Sequence, residues 1–167
     1  MAGVRQLTLK FTLCSVVFLT SCQRTVTWPA SVIHMADRTV ERQLLGGFHA
    51  VEGNRWRWTA REFGVLLRPP GNAEKKGARL LLECYLPQRR LDTLGPVTVF
   101  AKADETPLEE QTFFKEGAYR YTRYIPPDLL ATTILPVHFR LSKAVHPSSV
   151  EGRELGAVVT QIGLELN

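Results

Sequence analysis

The chain has 167 residues, 44% of them hydrophobic and 22% charged, with 12 Gly, 10 Pro and a formal charge of +5. That composition fits one ordinary globular domain and excludes a disordered tail, a collagen-like repeat and a multidomain enzyme. Three cysteines are too few for a disulfide scaffold.

Arg5 and Lys10 are the only charges among the first 21 residues, and they precede the apolar stretch Phe11–Thr20. A basic start followed by about ten apolar residues reads as a secretory signal, too short for a span that needs about 20. The stretch ends in Leu19-Thr20-Ser21-Cys22, which resembles the lipobox of bacterial lipoproteins. The resemblance implies lipidation of Cys22, a signal peptide over 1–21 and a bilayer as partner, held by more than one acyl chain. Gln23 follows the cysteine instead of the aspartate that retains many lipoproteins at the inner membrane. By the same resemblance, the outer membrane is favoured. Once Cys14 leaves with the signal and Cys22 carries lipid, Cys84 has no partner within the chain. It shares a strand face with Leu80, Leu82 and Leu86 and is expected as a small buried hydrophobe.

Residues 22–45 lack a clear pattern and are expected as a tether, with a short helix over Asp37–Leu45 that stops at Gly46-Gly47. The domain proper is placed at 46–167. Runs at Arg55–Thr59, Phe63–Arg68, Ala78–Leu86, Pro96–Ala103, Glu110–Phe114, Tyr119–Tyr124, Leu135–Lys143 and Leu155–Leu166 are separated by Pro, Gly and Asn breakers. Several alternate strictly. Val97, Val99 and Ala101 oppose Thr98, Phe100 and Lys102; Val137, Phe139 and Leu141 oppose His138, Arg140 and Ser142. Period-2 patterning with one wet face means antiparallel strands over a core. The fold class is therefore all-β: an antiparallel β-sandwich of about eight strands, of jelly-roll or immunoglobulin-like type. Pro127–Thr133 is expected as a short helical crossover between the sheets.

The opening Gly47-Phe48, Glu52–Thr59 and Phe63–Leu67, with the closing Arg153–Val159, Ile162 and Leu164, resembles a β-sandwich domain of uncharacterised bacterial proteins. Such domains are also appended to sugar-modifying enzymes such as glycosyltransferases. The resemblance covers residues 47–166 and implies a non-catalytic sandwich that sometimes accompanies carbohydrate chemistry.

Signatures of catalysis are absent from the sequence: no phosphate-binding Gly-rich loop, no Gly-x-Ser-x-Gly, no His-Glu-x-x-His. No cofactor, metal ligand or catalytic residue is assigned. His34, His49, His138 and His146 have no metal-ligand spacing, and His138 is expected on the solvated face of a strand. Glu109-Glu110 point to opposite faces and form no carboxylate dyad by themselves. The basic residues Lys75, Lys76, Arg79, Arg89 and Arg90 are too mixed with acids for nucleic acid and suit weak attraction to anionic headgroups or polysaccharide.

Two segments are candidate ligand-binding surfaces. In Arg55-Trp56-Arg57-Trp58 the tryptophans share one face and the arginines the other. Trp56 and Trp58 form either a sugar-stacking platform or part of the core, and burial is preferred, which leaves Arg57 wet. In Tyr119-Arg120-Tyr121-Thr122, Tyr119 and Tyr121 oppose Arg120 and line either a groove or the core. Function follows the same division. A structural or protein-binding envelope lipoprotein ranks first and predicts these aromatics buried. A carbohydrate-binding module ranks second and predicts some of them exposed together.

Overall fold

The computed structural model describes residues 28–87, 95–148 and 150–166. Cys22, the 1–21 signal segment, Arg89 and Arg90 lie outside the described residues. Nine antiparallel strands form the fold: β1 (Val32–His34), β2 (Leu44–Glu52), β3 (Trp56–Leu67), β4 (Ala78–Leu86), β5 (Val97–Ala103), β6 (Thr106–Phe113), β7 (Gly117–Ile125), β8 (Leu135–Leu141) and β9 (Val158–Glu165). Their order is β6-β5-β8-β3-β9-β4-β7, with β1 added to β9 and β2 to β3.

β3 is the hinge of this arrangement. Its second half, Glu62–Leu67, pairs with β8, and its first half, Arg57 and Trp58, pairs with β9. The one long strand thus belongs to both layers of the sandwich: β6-β5-β8-β3 on one side and β3-β9-β4-β7 on the other. The expected separate strands at 55–59 and 63–68 are halves of β3. Alternation decides which side chains enter the layer between the sheets. Val97, Val99, Ala101 and Ala103 of β5, Leu135, Val137, Phe139 and Leu141 of β8, and Leu80, Leu82, Cys84 and Leu86 of β4 all lie at 4% exposure or less. Phe48 meets Phe63 edge-on, Phe63 stacks on Phe139, and Tyr121 meets Phe139 edge-on, so one chain of rings runs through the core.

The layers also meet where β6 and β7 end their sheets. Tyr121 Oη and Arg123 Nε both donate to the Glu109 carbonyl, and Arg123 Nη2 donates to the Glu110 carbonyl. Side chains thereby satisfy edge carbonyls that a ladder would otherwise serve. The crossover expected at Pro127–Thr133 is a 3-10 helix, Pro127–Leu130, between β7 and β8.

The expected tether is corrected over its described part. Residues 28–45 are built into the fold: β1 pairs with β9, and Ile33, Met35 and Val40 are buried. A 3-10 helix, Arg38–Gln43, capped by Asp37, replaces the expected helix, and the chain runs on through Gly46-Gly47 as β2. Polar side chains hold this segment, which is why its hydrophobic pattern is weak. Gln43 donates to the Ala30 and Leu66 carbonyls and accepts from the Ala30 N–H. Arg57 donates to the Met35 and His49 carbonyls and pairs with Glu41.

Candidate functional site

Inward packing of alternate residues on β3, β5 and β8 sends their partners to the outer face of the first sheet. Register sets them in two rows. Glu62 lies opposite Arg140, which lies opposite Phe100; Gly64 lies opposite His138, which lies opposite Lys102. Around these rows stand Leu45–Gly47 from β2, Glu105 from the β5–β6 hairpin, and Pro107 and Leu108 from β6. Together they border an open, shallow cleft of about 790 Å³.

The local sequence explains the hollow. β2 departs from regular register between Leu44 and Phe48, and such bulges re-aim the residues that form a rim. Gly47 has φ +75° and packs against the Glu62 backbone, where a Cβ would collide. The His138 imidazole, packed over Gly64, provides the floor. A Cβ there would lie 2.9 Å from His138 Nδ1 and 3.2 Å from the Val137 carbonyl oxygen, so only a bare backbone leaves room for the imidazole.

The charges in the cleft are arranged unevenly. Lys102 pairs with Glu105 at 3.3 Å. The Arg140 guanidinium instead lies over the Phe100 ring, 4.0 Å from its centroid, an attraction that holds it flat. Among the described residues, neither Arg140 nor its row neighbour Glu62 has an ion-pair partner. A donor-only guanidinium and an acceptor-only carboxylate therefore stand side by side with their hydrogen-bonding capacity open. Hydroxyl groups, which both donate and accept, match such a pair, and exposed Leu45 adds an apolar wall.

The residues expected from sequence fall in three other places. Trp56 and Trp58 point away from the core and are half-buried, while Arg57 is 3% exposed. The expected orientation is thus inverted, with Arg57 inside. Because β3 is continuous, Arg57 shares parity with Phe63, Val65 and Leu67, and its donors are spent on the N-terminal segment. The Trp56 ring lies over Gly53 in the β2–β3 turn. Tyr121 is buried at 0% exposure and its hydroxyl is pushed up to about 12 by that burial. Tyr119 stacks on Phe113 with ring centroids 4.2 Å apart and donates to the Lys115 carbonyl. Arg120 lies on the outer face of the second sheet, paired with Glu83. These six residues are not brought together.

Cys84 behaves as expected, buried at 4% exposure with its thiol pushed up to about 12, so the reactive thiolate is suppressed. Arg153 also fixes the turn before β9. It donates to both Glu151 carboxylate oxygens at 2.8 and 3.0 Å and to Glu52 at 2.7 Å, and these bonds hold the Glu151 carboxyl down at about 2. Among the described residues no group of three His, Cys, Asp or Glu side chains is placed to hold a metal ion. Nor is any described helix long and apolar enough to cross a membrane.

No protein-family model matches the chain, and no curated protein does. Among solved structures, it is similar to "Carbohydrate-Binding Module CBM36 in complex with calcium and xylotriose", with 8% identity and a TM-score of 0.43 over 80% of this chain and 98% of that one. It is also similar to "CBM4 structure and function", with 11% identity and a TM-score of 0.36 over 81% of this chain and 85% of that one.

Proposed function

We propose that this domain is a non-catalytic binding module that holds a polyhydroxylated ligand, a glycan of the cell envelope or its surroundings, in the cleft of the first sheet. The observation that carries this reading is the unpaired Arg140–Glu62 couple beside Phe100, in a cleft whose floor is the His138 imidazole packed over Gly64. A vicinal diol satisfies both members at once, accepting from the guanidinium and donating to the carboxylate, and neither has to be stripped from an existing partner. On this reading glycan binding, the alternative in the sequence, is preferred to the protein-binding role ranked first there.

Titration calorimetry against a panel of neutral envelope oligosaccharides tests the reading. A hydrogen bond to a charged group contributes about 1.5–3 kcal/mol, so Arg140→Ala weakens the interaction by about 10- to 100-fold. The control Trp58→Ala, on the other sheet, leaves it unchanged. Affinity indifferent to Arg140→Ala removes the cleft from the account.

In the same reading, the module is displayed at a membrane by acylation of Cys22, on the outer membrane by its Gln23 neighbour. Metabolic labelling with palmitate, lost in Cys22→Ala together with signal processing, is the expected result. Unchanged processing in that variant replaces the anchor with ordinary signal cleavage.

A further inference from the structure

β6 does not run evenly along β5. Val99 lies opposite Gln111 and Ala101 opposite Leu108, so two residues of β6, Glu109 and Glu110, face the single residue Phe100. This is a β-bulge, which bends its strand and re-aims the side chains beside it. On its other side Phe100 lies opposite Arg140 and carries the guanidinium on its ring. The bulge therefore continues the row of Glu62, Arg140 and Phe100. The residues of β6 that precede it, Pro107 and Leu108, border the cleft.

The second sheet grips this bulge. Consecutive carbonyls of a regular strand point to opposite edges, yet those of Glu109 and Glu110 both accept from side chains of β7. The Glu109 carbonyl accepts from Tyr121 Oη at 2.8 Å and from Arg123 Nε at 2.7 Å. The Glu110 carbonyl accepts from Arg123 Nη2 at 2.8 Å. Arg123 Nη1 is spent on the Thr122 carbonyl at 2.7 Å and on Gln111 Oε1 at 3.4 Å. The guanidinium also lies 4.6 Å from the centroid of the Tyr121 ring, which is itself fully buried. A rigid fork on a buried ring thus holds two adjacent carbonyls of the opposite sheet.

From this juxtaposition we infer that Tyr121 and Arg123, neither of which borders the cleft, are its positioning residues. By clamping the Glu109–Glu110 bulge they fix the Phe100–Arg140 stack and the Pro107–Leu108 wall. The inference rests on the proposed function for what the cleft holds, and not for the clamp.

The test uses the full chain and takes two readings from each variant. One is the Arg140 Nε–H signal without ligand, which the Phe100 ring displaces upfield. The other is calorimetric affinity for the neutral oligosaccharide panel. Deletion of Glu110 sets the strands one-to-one between Val99 and Ala101 and keeps the register on either side, so the urea midpoint stays near the native one. Expected are a downfield move of the Arg140 signal and affinity lower by about tenfold or more, the size of one misaligned hydrogen bond to a charged group. Arg123→Ala gives the same two changes, and Arg123→Lys, which keeps the charge without the fork, does not restore them. Arg120→Ala, on the outer face of the second sheet, changes neither. A purely edge-capping role would lower the urea midpoint of Arg123→Ala and leave both readings native, which overturns the inference. So does a moved Arg140 signal with native affinity. A native chain that binds no member of the panel overturns the glycan reading, and the Arg140 signal alone then decides the clamp.

Discussion

The outer faces of the two sheets are built by the same alternation and end in opposite states. On the second sheet, register sets Trp58 opposite Val158 and Val158 opposite Tyr85, and then Gln161 opposite Glu83 and Glu83 opposite Arg120. Bulky side chains stand in one row, and the acid and base of the next close on each other. On the first sheet, the corresponding acid and base, Glu62 and Arg140, do not close, because Arg140 lies on Phe100 instead. Beside them, Gly64 lacks a Cβ and the His138 imidazole lies in the space one would take. The lesson is that a strand face becomes receptive through what is withheld, here one ion pair.

That contrast can be broken most severely at its floor. Gly64→Val forces the His138 imidazole off Gly64 and into the cleft and presses on the Val137 carbonyl, so oligosaccharide binding is lost outright. Overpacking of this kind also costs about 1–3 kcal/mol of stability, measured as a shift in urea midpoint. A smaller and opposite signature belongs to the second face. Trp58→Ala costs about 1–2 kcal/mol for the part of the indole that is buried, with glycan affinity unchanged. If Trp58→Ala lowers affinity instead, the receptive face has been assigned to the wrong sheet.

The weakest effect is one of acid. The Glu151 carboxyl is held near 2, against an ordinary value of 4.5, chiefly by hydrogen bonds from Arg153. A depressed carboxyl contributes stability that is complete above pH 4.5 and is lost as pH falls towards 2. Urea midpoints taken between pH 5 and pH 2 decline more steeply in the native chain than in Glu151→Gln. Equal slopes would show that the Arg153 turn adds nothing.

Much of the architecture was legible because alternation in 97–103 and 137–142 names the core side of β5 and β8 directly. The same alternation named Phe100, His138 and Arg140 as the wet side. It did not show that β5 and β8 are neighbours, and a cleft exists only once they are. Register between strands some forty residues apart is a property of the whole fold. The aromatic segments misled for a local reason. Read as two short strands, 55–59 and 63–68 have independent parity, and tryptophan is then the natural core residue. Read as one strand, Arg57 and Thr59 share parity with Phe63, Val65 and Leu67, which places Arg57 inside, and Arg61 between them is exposed. The N-terminal segment stayed illegible because Gln43 and Arg57, rather than a periodic apolar stripe, hold it down.

The most direct test of the glycan cleft is side-chain NMR of the domain during titration with the oligosaccharide that binds best. The Arg140 Nε–H and His138 ring signals report on the first sheet, and the Trp58 indole N–H on the second. Movement of the Arg140 and His138 signals with a stationary Trp58 indole is the predicted result. Movement of the Trp58 indole with Arg140 and His138 unmoved would contradict the account and transfer the site to the opposite face.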